Sequence, residues 1–135
     1  MGAGSGGGLN NLGPSLQANM DKFANKYGLN SHSGLFGVKG DGSARVIITE
    51  SPAETAKEFF KDLSSGGKTT KKLGGSDPSS KGHRVTVFID GSSLYYRPVS
   101  KSGSPSVNLQ TPGPRGKNYK IHFEFGIKEQ IKDAK

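Results

Sequence analysis

Three histidines are the only side chains in this chain that ordinarily titrate near neutral pH, and His122 has the most informative neighbours. It lies in the stretch Asn118–Phe125, where Tyr119, Ile121, Phe123 and Phe125 alternate with Lys120, His122 and Glu124. Alternation of period two marks a half-buried strand, so Lys120, His122 and Glu124 are expected on one polar face. A hairpin is read around Asp90-Gly91, a strong two-residue turn signal. Counting outward from that turn pairs Ile89 with Ser92, Val87 with Leu94, Val85 with Tyr96 and Arg84 with Arg97. This register turns the apolar members inward and leaves Arg84, Arg97 and Tyr95 outward, beside Lys120 and His122. Two arginines directly opposed destabilise a hairpin by a fraction of a kcal/mol, a sign that a bound anion reverses. Guanidinium and ammonium groups neutralise phosphate oxygens, an imidazole can move a proton, and a tyrosine ring can stack on a base. Such a set meets the needs of RNA cleavage without a metal. One group takes the 2′-hydroxyl proton, another protonates the leaving 5′-oxygen, and fixed cations stabilise the phosphorane. Plainer readings stay open at this point, because an outward histidine is commonly a surface residue and opposed arginines can splay into solvent.

The other histidines are weaker candidates. His83 begins a strand beside Arg84 and could serve as a second proton-transfer group, whereas His32 lies in a Gly/Ser loop. No His/Asp/Glu cluster has metal-ligand spacing, so neither a metal nor a cofactor is expected. The absence of cysteine removes disulfides, thiolate-bound zinc and cysteine nucleophiles. Gly2, Gly4 and Gly7 spell a dinucleotide-binding fingerprint, but no strand precedes them and no helix opens after them. No apolar run approaches the roughly 18 residues of a membrane span.

Charge placement points the same way. The net charge of +8 falls wholly in residues 61–135, with fourteen basic and six acidic side chains there against five of each in residues 1–60. Between Asp90 and Glu124 there is no acid, while Arg97, Lys101, Arg115, Lys117 and Lys120 all fall there. One-sided charge of this kind is the footprint of a nucleic-acid or anionic-partner surface, and a solvated basic surface is the alternative. Lys101, Arg115 and Lys117 therefore join Arg84 and Tyr95 as candidate RNA-binding residues.

The elements that must position these residues follow from pattern. Hydrophobic residues make up 30% of the 135 positions and glycine 21 of them, so part of the chain is expected to be loop or tail. Residues 1–14 read as a flexible Gly-rich leader, and 15–49 as an N-terminal helix and loop carrying Leu16, Met20, Phe23 and Tyr27 at helical spacing. Arg45–Thr49 is a possible strand. Residues 50–127 form the main unit, opening with a helix over 52–64. Ser51 and Glu54 suggest a capping box there, Pro52 the first helical position, and Ala53, Ala56, Phe59, Phe60 and Leu63 an apolar stripe. A polar loop is expected over 65–82, strands over 83–90, 92–99, 107–111 and 118–125, and a charged tail over 128–135. The expected fold is α+β, with one or two helices packed on a twisted antiparallel sheet of about four strands. Val85, Val87, Leu94, Tyr96, Ile121 and Phe123 are expected beneath the helix, with the other face polar.

Three short stretches carry a family resemblance: Tyr96-Arg97-Pro98, Ser102-Gly103-Ser104-Pro105-Ser106-Val107 and Lys120-Ile121-His122-Phe123. With the Glu54–Gly67 helix and the hairpin, residues 50–125 resemble the C-terminal toxin domains of bacterial polymorphic toxins. Such domains cap contact-dependent inhibition proteins and LXG-type effectors, and many belong to the barnase–EndoU–colicin–RelE ribonuclease group. The resemblance implies a helix-on-sheet fold and metal-independent cleavage of RNA, frequently tRNA. It implies that His122 acts as acid/base, Arg97 and Lys120 as phosphate ligands, and Ser104 as a hydrogen-bond donor. The closely placed histidine pair typical of EndoU members is absent, so His83 or a lysine must stand in. The resemblance also implies a secreted or delivered effector, expected to be monomeric, that acts in the target-cell cytoplasm and is neutralised by a cognate immunity protein. The competing readings are a non-catalytic nucleic-acid-binding module and an interaction domain for an acidic protein.

Overall fold

Ser15 opens the first helix by taking an extended backbone and accepting the Ala18 N–H on its hydroxyl at 3.1 Å. Helix α1 (Leu16–Lys22) buries Leu16 and Met20, and a second short turn, α2 (Ala24–Tyr27), ends at Gly28. In this computed structural model the described residues are 14–71, 82–99 and 103–126. The glycine fingerprint at Gly2–Gly7, Lys101 and the charged tail 128–135 lie outside the described residues.

Strands β1 (Val38–Lys39) and β2 (Arg45–Thr49) follow, then helix α3 (Pro52–Leu63). Pro52 is at the start of α3 as expected, but the capping box does not form, since the Ser51 side chain makes no cap hydrogen bond. Thr49 takes over the entry turn instead: its hydroxyl accepts the Ser51 N–H at 3.1 Å and meets the Thr55 hydroxyl at 2.7 Å. At the other end Asn19 donates to the carbonyls of Leu63 and Ser65, both at 2.8 Å, satisfying acceptors that a helix terminus leaves open.

Among the described residues the sheet has seven strands, not about four, and it is mixed. Beyond β1 and β2 it contains β3 (Lys68–Lys71), β4 (Arg84–Val87), β5 (Ser93–Arg97), β6 (Ser106–Gln110) and β7 (Asn118–Phe125), in the order β1-β2-β7-β6-β5-β4-β3. All neighbours are antiparallel except β2 and β7, which run parallel with Arg45 opposite Ile121 and Thr49 opposite Phe125. After β2 the chain crosses the sheet through α3 and resumes at the opposite edge as β3, within the expected 65–82 loop.

One hydrophobic cluster unites residues from both sides of position 50: Leu16, Met20, Tyr27 and Phe36 with Phe59, Leu63, Leu94, Val107, Leu109, Ile121 and Phe123. Phe59 lies at its centre. Its ring meets Tyr27 at 4.9 Å, Phe36 at 5.1 Å and Phe123 at 5.3 Å, all at steep edge-to-face angles.

The β4–β5 hairpin departs from the expected register by one residue, and every β4 side chain changes face with it. Arg84 pairs with Tyr96, Val85 with Tyr95, Thr86 with Leu94 and Val87 with Ser93. The loop is three residues long, Ile89-Asp90-Gly91, closed by Phe88 N–H to Ser92 O and by Gly91 N–H to Phe88 O. Gly91 adopts φ +93°, the left-handed position that ends a type I turn in such loops. Thr86 and Phe88 are therefore buried, while Val87 is 50% and Ile89 85% exposed, contrary to the simple apolar alternation. Hydroxyl bonding outweighs that alternation: Thr86 Oγ1 lies 2.7 Å from both Ser64 Oγ and Thr69 Oγ1, so a threonine beneath the helix is satisfied.

An ionic clasp holds α2 to α3. Lys26 Nζ lies 2.9 Å from Glu58 and 2.8 Å from Asp62, and the Tyr27 hydroxyl donates to Asp62 at 2.7 Å. Burial alone would raise the Asp62 carboxyl, but the hydrogen bonds from Lys26 and Tyr27 outweigh it and hold the group below its ordinary value of 3.8. A carboxyl depressed by folding contributes stability above its unfolded pKa and loses it as pH falls through the folded one. Asp62→Asn is thus expected to cost about 1 kcal/mol at pH 7, with a smaller gap from wild type at pH 3. Urea midpoints at the two pH values measure this, and a gap that does not narrow in acid contradicts it.

Candidate active site on the helix-free face

The described helices contribute to the single core on one side of the sheet, and the opposite face carries the polar residues of β5, β6 and β7. Register places them in transverse rows. Arg97 lies opposite Ser106, and Ser106 opposite His122; in the next row Val85, Tyr95, Asn108 and Lys120 follow one another across β4 to β7. Strands are about 4.8 Å apart, so the Arg97 and His122 backbones stand about 10 Å apart, enough for a tetrahedral anion between their side chains. The described members of these two rows include no carboxylate, and Glu124 is one row further along β7, exposed.

His122 is half-buried, and its Nδ1 lies 3.2 Å from Ser104 Oγ. That contact fixes the ring and leaves Nε2 as the nitrogen for proton exchange. On the far side of His122, Val46 is its direct partner on β2, with Val38 beyond, so the imidazole has an apolar flank. The face is accordingly less uniformly polar than alternation suggests: Val38, Val46, Ile48, Val85 and Val87 border the polar rows.

Arg97 extends over Tyr95, its guanidinium carbon 4.9 Å from the ring centroid. Arg97 Nε and Ser106 Oγ are both buried and have no hydrogen-bond partner among the described residues. Buried polar atoms are nearly always paired, so two unpaired ones beside His122 demand an explanation. His83 directly precedes β4, on the same face as Tyr95, and its Nδ1 lies 3.0 Å from the Tyr95 hydroxyl.

The structure thus places Arg97, Lys120, Tyr95, His83 and His122 on one face, with Ser104 against His122, Arg97 over Tyr95 and His83 against Tyr95. It moves Arg84 away. The register shift turns that side chain to the helix side, where its Nη1 donates to His83 O at 3.0 Å and it borders a groove of about 500 Å³ with Lys57, Phe60 and Tyr96. The opposed arginine pair does not exist. Tyr95 is not open for base stacking on the ring face that Arg97 covers. Arg115 is exposed in the turn before β7, and Lys117 packs by Gly34, about five residues or 17 Å along the strand from His122. Ser106 and Asn108 went unrecognised in the sequence. The signal was present, since Ser106, Asn108 and Gln110 alternate with Val107 and Leu109.

Fold and face together define, among the described residues, an α+β domain with a mixed seven-stranded sheet, helices on one side and a row of cationic and imidazole groups on the other. No family model matches the chain, and no curated protein or solved structure matches it.

Proposed function

We propose that this face cleaves RNA without a metal, as a toxin domain of the barnase–EndoU–colicin–RelE kind, with tRNA the favoured substrate. The observation that carries the reading is the pair of buried, unpartnered polar atoms, Arg97 Nε and Ser106 Oγ, in the row that ends at His122. A phosphate entering between Arg97 and His122 gives Arg97 Nε a partner, and gives one to the fully buried Ser106 Oγ once the side chains above it part. His122 Nε2 takes the 2′-hydroxyl proton, with Ser104 holding the opposite nitrogen. Arg97, Ser106 and Lys120 face the charge that develops on the phosphorane oxygens, where fixed donors are worth most. The products are a 2′,3′-cyclic phosphate and a free 5′-hydroxyl. In this reading the chain is a delivered effector domain acting in the target-cell cytoplasm, and a cognate immunity protein with an acidic surface covers the face.

The test is incubation of the purified protein with tRNA and total RNA in excess chelator. Fragments ending in 2′,3′-cyclic phosphate are expected, formed about 10²- to 10³-fold more slowly by Arg97→Ala. RNA left intact by the wild type, or cleavage that stops with chelator, defeats the reading.

One observation favours a binding module instead. His83 and His122 stand on strands three spacings apart, about 14 Å between backbones, which is wide for an acid and a base sharing one phosphate. Such a module would bind RNA without cutting it, with log affinity falling linearly against log salt. Among the described residues no helix is long and apolar enough to cross a membrane.

A further inference from the structure

We propose that Tyr95 is the catalytic residue that protonates the leaving 5′-oxygen, with His83 as its positioning residue; this rests on the ribonuclease reading above. In-line displacement at phosphorus puts the attacking and leaving oxygens on opposite sides, so base and acid must flank the phosphate. His122 supplies one flank, from β7. The other belongs to β5, because Arg97, which holds the phosphate, lies directly over the Tyr95 ring at 4.9 Å. An anion gripped by that guanidinium is therefore beside the Tyr95 hydroxyl as well.

Two contacts distinguish Tyr95 from a stacking platform. Arg97 covers a face of its ring, and the His83 ring meets it at 73° with 5.6 Å between centroids. Its hydroxyl is held 3.0 Å from His83 Nδ1, which fixes the oxygen and links it to a group able to return a proton. The strands that carry base and acid are then β7 and β5, two spacings or about 10 Å apart, in place of β7 and β4. As the bond from O2′ to phosphorus forms and the bond to O5′ breaks, the 2′-hydroxyl proton passes to His122 Nε2. The Tyr95 proton passes to O5′. Afterwards His122 releases its proton to water, and water re-protonates Tyr95 through His83.

Protonation of the leaving group matters only when that group is a poor one. A tRNA-derived oligonucleotide cleaved by the wild type is made again with sulfur in place of the bridging 5′-oxygen at the cut site, because a thiolate leaves unprotonated. Tyr95→Phe keeps the ring under Arg97, and its melting temperature confirms folding. It is expected to cut the oxygen substrate about 10²- to 10⁴-fold more slowly than wild type but the sulfur substrate within about 10-fold. His122→Ala remains slow on both. His83→Gln is expected to lower kcat more than it raises KM and to alter one limb of the pH–rate profile. Tyr95→Phe at wild-type speed on the oxygen substrate, or equally slow on both, overturns the assignment of Tyr95. An unchanged kcat and pH profile in His83→Gln overturns the role of His83. A wild type that leaves tRNA and total RNA intact, so that no cut site can be found, overturns the ribonuclease reading itself.

Discussion

RNA cleavage by His122→Ala is expected to be about 10²- to 10⁴-fold slower than by the wild type, with folding retained. The imidazole is half-buried and outside the hydrophobic core, with Ser104 and the Val46 flank beside it, so its loss removes local contacts and no core volume. The urea midpoint should shift by the equivalent of about 1 kcal/mol or less. RNA affinity should change little, because Arg97 and Lys120 remain. Expression in bacteria gives an independent readout: wild type is expected to arrest growth with tRNA fragments accumulating, and His122→Ala to do neither. A variant that cuts RNA at the wild-type rate removes the imidazole from the chemistry. Loss of activity accompanied by loss of the folded state leaves its chemical role undemonstrated, and His122→Gln, which keeps a polar side chain near Ser104, then provides the second reading.

Phe59→Ala is expected to cost about 3–5 kcal/mol, a large effect for a single truncation. A domain of this size has roughly 5–15 kcal/mol in total, and a lean core puts it toward the lower end. Phe59 is fully buried and makes edge contacts to Tyr27, Phe36 and Phe123, so it joins α2, the segment before β1, and β7. Truncation leaves a cavity whose walls belong to three separate parts of the chain, which cannot all collapse onto it. Urea denaturation measures the loss, with Phe59→Leu as a control expected to retain most of the stability. A loss below about 1 kcal/mol in Phe59→Ala would show that the core reorganises around the gap.

The local parts of this fold were legible in the sequence, and the non-local parts were not. The strand Asn118–Phe125 is strictly alternating, and its boundaries and buried face match the structure up to the exposed Phe125. Helix α3 likewise follows from Pro52 and the spacing of Ala56, Phe59, Phe60 and Leu63. By contrast β3 reads Lys-Thr-Thr-Lys, with no apolar residue to reveal it, and it forms because β4 offers an open edge. The parallel pairing of β2 with β7 joins Arg45 to Ile121, 121 − 45 = 76 residues apart, which no local pattern can encode. The hairpin shows how a single residue decides a face. Asp90-Gly91 correctly marked the turn, yet a three-residue loop moved Thr86 and Phe88 inward and Arg84 to the helix side. The residues of β5 and β7 keep their expected face because they take their orientation from strands with clear alternation, whereas the face of Arg84 depended on the turn length.

The strand order has a consequence for when this domain can exist. Until β7 is in place, the ribbon of β1 and β2 and the meander of β3 to β6 share no sheet hydrogen bonds, and each offers an open flank to the surroundings. The segment that zips these halves together is the last of the described strands to leave the ribosome, and it also brings His122. A nascent chain stopped before residue 118 therefore holds two ribbons with no sheet hydrogen bonds between them and without the imidazole of β7, each with an edge open to other chains.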